Sequence, residues 1–221
     1  MIYIIFLCSI LIHEFGHILM AKCLKIKINN VRFKLIGISA EFENENEISL
    51  LKKILVLITG PVFNLCIVSV FMLFDLKFKI KEELIYTNLI LFLFNLFPIL
   101  PLDGGKLLLY ILNLKYDFEK SFKITRFIGI LLLCLLSFVY AIVIFVVKNI
   151  EIFLVLIYLW YLFIKEENSI EWYIKINKNM RKHLNSKEKY AKIPSVIKWF
   201  SLKSLLILVK IWVLYPKGRW R

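Results

Sequence analysis

The segment His13-Glu14-Phe15-Gly16-His17 carries the residue types of a hydrolytic metal site within an otherwise apolar stretch. On a helix, side chains four residues apart lie on one face, so both imidazoles can reach one Zn²⁺ at about 2.0–2.1 Å. Glu14 lies off that face, where it suits the role of general base toward a metal-bound water. Two packing histidines with a chance glutamate are the alternative, but burying these polar groups in a membrane span is costly. The pattern therefore predicts a metal site.

A third protein ligand is needed, because a hydrolytic zinc site has three protein ligands and one open position. Asp103 is the best candidate in the sequence, since it closes a long apolar run and is followed by two glycines that allow a tight turn. Pro98 and Pro101 should break the helix just before it. The alternative is that Asp103 only caps the following helix, "GGKLLLYILN".

The elements that position these residues are predicted to be membrane helices. The 221 residues are 60% hydrophobic and include 19 Phe, with a mean hydropathy of +0.76, which is too apolar for one soluble domain. Apolar runs at about 1–21, 50–74, 84–102, 127–147 and 150–164 approach the length needed to cross a ~30 Å hydrocarbon layer. We expect an all-α polytopic membrane protein with five to six transmembrane helices, the sixth at residues 201–215 if that stretch does not lie at the interface.

A short β-hairpin is expected after the first helix. The stretch "NNVRFKLIGISAEFENENE" is rich in β-branched and aromatic residues with partial alternation, between Asn and Glu clusters. An irregular charged loop is the alternative.

Three regions follow from these runs. We expect residues 1–113 to form the catalytic transmembrane core and 114–164 to add transmembrane helices. Residues 165–221 form a basic tail with 14 Lys+Arg against 4 Asp+Glu. Basic residues mark cytoplasmic loops, so the tail and the C-terminal end of the first helix should face the cytoplasm. The net charge of +14 is thereby explained by basic cytoplasmic loops that lie near lipid headgroups, and no nucleic-acid partner is expected.

This orientation allows the proposed ligands to meet. The first apolar run and the run that ends at Asp103 are separated by one span, so they cross the membrane in the same direction. Their C-terminal ends share a face, and His13 lies roughly 20 Å along its helix from Met1. An active site in the cytoplasmic half of a multi-pass membrane protein is therefore expected.

Three motifs in order resemble those of the site-2 proteases, a family of intramembrane zinc metalloproteases. They are HEFGH, a GPxxN pattern at residues 60–64, and "NLFPILPLDGG" at residues 95–105. The resemblance implies Zn²⁺ bound by His13, His17 and Asp103, with Glu14 as the catalytic base. It further implies that Asn64 and Asn95 line the site. Pro98 is expected to contact substrate as well, because the Pro-broken segment at about 95–101 offers a surface for pairing with an unwound substrate helix.

The resemblance also implies partners and a biological setting. Without an inserted PDZ-like domain, the chain is most similar to the compact, stage IV sporulation protein FB-like branch, which cleaves a membrane-associated sigma-factor precursor in a bacterial cell membrane. Cleavage of another membrane-bound regulator, with regulatory membrane partner proteins, is an alternative. A non-catalytic metal-binding scaffold and a transporter are the alternatives outside the protease class.

Overall fold

The computed structural model describes residues 2–34, 37–42, 48–73, 80–147 and 150–183. Six helices and two strands follow one another in these segments. They are α1 (Ile2–Cys23), β1 (Ile28–Lys34), β2 (Gly37–Phe42), α2 (Leu50–Leu73), α3 (Lys81–Asn95), α4 (Asp103–Asn113), α5 (Phe118–Val147) and α6 (Ile150–His183).

Three of the described helices are long and apolar enough to cross a membrane, at Ile4–Cys23, Leu50–Leu73 and Phe118–Ile142. The expected helical membrane architecture is therefore confirmed, but the expected five to six spans are not reached by this criterion among the described residues. The run at 84–102 falls short because its helix ends at Asn95 and a turn with Pro98 and Pro101 follows, which leaves α3 with 15 residues. Residues 201–215 lie outside the described residues.

The stretch after α1 contains two short strands. β1 pairs with β2 antiparallel, with Val31 opposite Ala40 and Arg32 opposite Ser39. Residues 35 and 36, between the two strands, lie outside the described residues.

The last two helices run further than the hydropathy indicated. α5 begins at Phe118, before the apolar run expected at about 127–147, and α6 continues past residue 164 to His183. Arg126 pairs with Glu167 and Glu171, the latter at 2.5 Å, so charges join the two helices. The charged residues therefore belong to the two helices. A charged residue ends the membrane-buried part of a helix, but the helix itself can continue beyond it.

The part of the fold that positions the metal-ligating residue types is the contact between α1 and α2. Gly16 lets the helices approach closely, since a Cβ there would lie 3.0 Å from the Thr59 carbonyl oxygen and from the Phe63 ring. Small residues at helix crossings serve membrane proteins in this way, because lipid tails supply no hydrophobic driving force between helices. The HEFGH glycine thus fixes how near α1 comes to α2.

Candidate metal centre

α1 buries all three functional groups of the HEFGH segment. His13, Glu14 and His17 are at most 3% exposed, whereas Phe15 between them is 54% exposed. The helical repeat explains this division, because residues 13 and 17 lie on the face toward α2 and residue 15 lies on the opposite face. The expected placement of both histidines on one helix face is confirmed.

Asp103 comes from the turn between α3 and α4, where it is the first residue of α4 and 6% exposed. The two following glycines lie within the helix and provide space. A Cβ at Gly104 would overlap the Leu96 carbonyl, and one at Gly105 would overlap the backbone of Ile99 and Leu100. We expected these glycines to allow a tight turn. Their actual contribution is to let the preceding turn pack onto the start of α4, which delivers Asp103 to α1.

The three side chains meet at one point. His13 Nε2 lies 3.1 Å from Asp103 Oδ2, His17 Nε2 lies 3.3 Å from the same oxygen, and the two nitrogens are 3.2 Å apart. Among the described residues, these three form a group that could hold a metal ion. The structure thus brings together side chains that are separated by up to 90 positions in the sequence.

Zinc fits this donor set. A tetrahedral ion with bonds of about 2.0–2.1 Å keeps its ligand atoms about 3.3 Å apart, which matches the three observed separations. Two imidazoles and one carboxylate are a donor set that zinc accepts, and three protein donors leave one position for water or substrate. Both histidines present the same ring nitrogen, Nε2, to Asp103.

The capping alternative for Asp103 does not describe this geometry. The residue at the N-cap of α4 is Leu102, whose side chain has no capping group. The Asp103 carboxylate is instead directed at the two imidazoles. Its position in the first turn still favours a negative charge through the helix dipole, by about 0.3–1 kcal/mol.

Glu14 lies apart from the three donors but within the same buried region. It is 3% exposed and close enough to Asp103 and Lys106 to interact with them electrostatically. Lys106, at 1% exposure, lies three residues after Asp103 on α4. It was not among the residues expected from the sequence, because a lysine near the start of a helix is usually exposed.

The remaining expected site residues differ in their surroundings. Asn64 on α2 is fully buried beside His13. Asn95, at 5% exposure, donates from Nδ2 to the Leu91 carbonyl oxygen of its own helix at 3.0 Å. Pro98 is half-buried in the turn before α4. Their assignment to substrate binding stays a prediction.

Two buried histidines and one aspartate on apolar helices define a membrane-embedded metal-site protein. Comparison with known proteins gives the family: the model described as Peptidase family M50 matches residues 1–83 and 79–136, so the chain belongs to this family. The resemblance to site-2 proteases is thereby confirmed, and the family implies zinc as the metal.

Individual relatives agree with this assignment. The chain is 37% identical over 137 residues to a zinc metalloprotease of Methanocaldococcus jannaschii, covering 58% of this chain and 39% of that protein. It is 30% identical over 122 residues to stage IV sporulation protein FB of Bacillus subtilis, covering 53% and 42%. The chain thus spans about two fifths of these curated relatives.

A solved structure is also similar. The site-2 protease from Methanocaldococcus jannaschii matches with a TM-score of 0.52 and 28% identity, over 74% of this chain and 76% of that one. The likeness therefore extends beyond the motifs to the arrangement of the helices.

Proposed function

We propose that this chain is an intramembrane zinc metalloprotease that cleaves a membrane-associated protein. The observation that carries the proposal is the triangle of His13, His17 and Asp103 donors at zinc-ligand spacing, with the Glu14 carboxyl buried beside it. Ligands and base are then different residues. A silent metal-binding scaffold would have no need of Glu14.

The mechanism divides the work of peptide hydrolysis among these residues. Zinc, when bound, acidifies water and polarises the scissile carbonyl. Glu14 accepts the proton of the attacking water and delivers it to the leaving amine. Lys106 interacts electrostatically with the Glu14 carboxyl, which offsets part of the cost of burying that group. The Asn64 and Asn95 amides are proposed to line the substrate site.

The substrate must reach the site as extended chain, because a transmembrane helix keeps its peptide groups hydrogen-bonded internally. The turn between α3 and α4 is proposed as the surface that holds it, since Pro98 and Pro101 interrupt the helix there and leave backbone groups with which an extended segment can form main-chain hydrogen bonds. Pro98 is half-buried at the edge of this turn, within five residues of Asp103.

The proposed orientation places the site in the cytoplasmic half of a bacterial cell membrane. Basic residues follow α1 directly and dominate residues 165–221, as expected for segments retained in the cytoplasm. Five membrane spans are proposed in total. They are the three long apolar helices, α3 together with the turn that follows it, and the apolar half of α6.

A membrane-associated sigma-factor precursor in sporulation is the proposed substrate. Similarity to stage IV sporulation protein FB supports this choice. Another membrane-bound regulator is the second candidate, because 58% of the chain, against 53% for the sporulation protein, resembles a relative whose name specifies only a zinc metalloprotease. Regulatory membrane proteins are proposed as further partners.

Co-expression with candidate precursors tests the proposal. Wild type, Glu14→Gln and Asp117→Asn are expressed with each tagged precursor, and products are followed by immunoblotting. Asp117 is an exposed carboxylate just before α5, so its amide variant controls for expression and charge. Cleavage by wild type and Asp117→Asn but not by Glu14→Gln is expected. Equal products from all three would overturn the proposal.

A further inference from the structure

His17 makes a second polar contact, on the side of its ring away from Asp103. Its Nδ1 lies 2.7 Å from the backbone carbonyl oxygen of Val56 on α2, and both groups are buried. A carbonyl oxygen only accepts, so Nδ1 must carry the proton and donate it. The lone pair is therefore on Nε2, the nitrogen that lies 3.2 Å from His13 Nε2 and 3.3 Å from Asp103 Oδ2.

Gly60 provides the space in which this ring lies. It follows Val56 by one turn of α2, and a Cβ at residue 60 would overlap His17 at Nε2, Cε1 and Cδ2. Glycine in a helix interior costs about 1 kcal/mol relative to alanine, and here it precedes Pro61, which also disfavours a helix. The position of the His17 ring gives a reason for a glycine at this point of α2.

We propose that the Val56 carbonyl and Gly60 are positioning elements for His17: the carbonyl fixes the tautomer and the glycine fixes the plane of the ring, so that Nε2 is offered to the metal. The inference rests on the proposed function in one respect, that His17 is a ligand. It assigns the first half of the GPxxN motif a role in preparing the metal site from the neighbouring helix.

A glycine that serves only to bring helices together is the competing explanation, and the chain contains a matched control. Gly129 on α5 also faces an aromatic ring, because a Cβ there would lie 2.6 Å from Phe163 Cε2 on α6. Both substitutions to alanine push one methyl group into a ring across a helix interface. Only Gly60 faces a ring that belongs to the donor triangle.

The experiment compares Gly60→Ala and Gly129→Ala in the purified, detergent-solubilised full chain. Zinc affinity is measured by competition with a chromophoric chelator, the ligand field by the visible spectrum of the Co²⁺-loaded protein, and folding by the melting temperature of the metal-free protein. Loss of partners that orient a metal ligand typically costs about 10- to 100-fold in metal affinity. We expect a loss of that size and an altered Co²⁺ spectrum for Gly60→Ala, and wild-type values of both for Gly129→Ala.

A His17→Cys background separates positioning from packing. A thiolate also binds zinc but has no ring for the new methyl group to displace. Gly60→Ala should therefore change zinc affinity by less than about twofold in that background. The double variant also covers the case in which Gly60→Ala alone does not fold, since removing the ring should restore folding.

Three results would overturn the inference. They are wild-type affinity and Co²⁺ spectrum in Gly60→Ala, an equal loss of affinity in the His17→Cys background, and a double variant that still does not fold. Failure of the underlying proposal looks different. If His17→Ala itself keeps wild-type zinc affinity, His17 is not a ligand, and the proposed function fails before the role of Gly60 is reached.

Discussion

Replacing Asp103 by asparagine tests the third donor of the metal centre. The change removes the negative charge and keeps the shape of the side chain. The carboxylate oxygen lies 3.1 Å from one imidazole nitrogen and 3.3 Å from the other, so it occupies one corner of an almost regular triangle of donors. An amide at that corner is a neutral and weaker donor to zinc.

The size of the effect follows from this position. Loss of a residue that only orients a ligand costs about 10- to 100-fold in metal affinity, so loss of the charged donor itself should reach at least the upper value. A hundredfold loss corresponds to about 2.7 kcal/mol of binding free energy. Without metal, the change removes at most the helix-dipole contribution of about 0.3–1 kcal/mol.

Two measurements check this prediction. Chelator competition should give a zinc affinity at least about 100-fold below wild type for Asp103→Asn, and co-expression with a cleaved precursor should give no product. Asp103→Ala should behave in the same way, and the exposed Asp117→Asn should match wild type. If Asp103→Asn keeps wild-type metal affinity and activity while Asp103→Ala loses stability, Asp103 acts as a helix-capping residue and the three-donor site is wrong.

Three further predictions concern the base, the orientation and the helix pair. Glu14→Gln should abolish cleavage but retain about one zinc per chain, measured by elemental analysis; metal loss equal to that of His13→Ala would contradict separate ligand and base roles. A reporter fused at the C-terminus should be cytoplasmic and one inserted in residues 77–82 should be outside, and finding both on one side would refute the orientation. Arg126→Gln should lower the free energy of unfolding by about 1 kcal/mol without changing zinc content, because its pairs with Glu167 and Glu171 are partly exposed; an unchanged melting temperature would show that these pairs contribute nothing.

The meeting of His13, His17 and Asp103 could be predicted because their types and spacing are local or follow from the order of helices. The four-residue separation of His13 and His17 needs only a helix, and Asp103 needs only an odd number of intervening spans. α1 and α2 are apolar along almost their whole length, so their bounds agree with the hydropathy to within a few residues.

Other features depend on contacts between elements that are distant in sequence. The proposed roles of Gly60 and of the Val56 carbonyl depend on the contact between α1 and α2, which the sequence alone does not give. The burial of Lys106 depends on how α4 packs, and the sequence alone does not give that packing. Hydropathy does not detect the extension of α6 beyond residue 164, because that part of the helix is charged. Two of its charges pair with Arg126 on α5. Hydropathy indicates where the apolar layer ends, and a helix need not end at the same residue.

The outward face of α1 has a physical consequence for the metal centre. Leu7, Leu11 and Phe15 are 48%, 38% and 54% exposed, so the helix that carries both imidazoles presents one side outward from the described helices. Where acyl chains cover that side, hydrophobic mismatch acts directly on this helix, and a thinner or thicker bilayer changes its tilt. Asp103 is the first residue of a different helix, α4, so such a tilt alters the distance between the histidines and the aspartate. Zinc retention in vesicles should then vary with acyl-chain length, as a mechanical property of the bilayer.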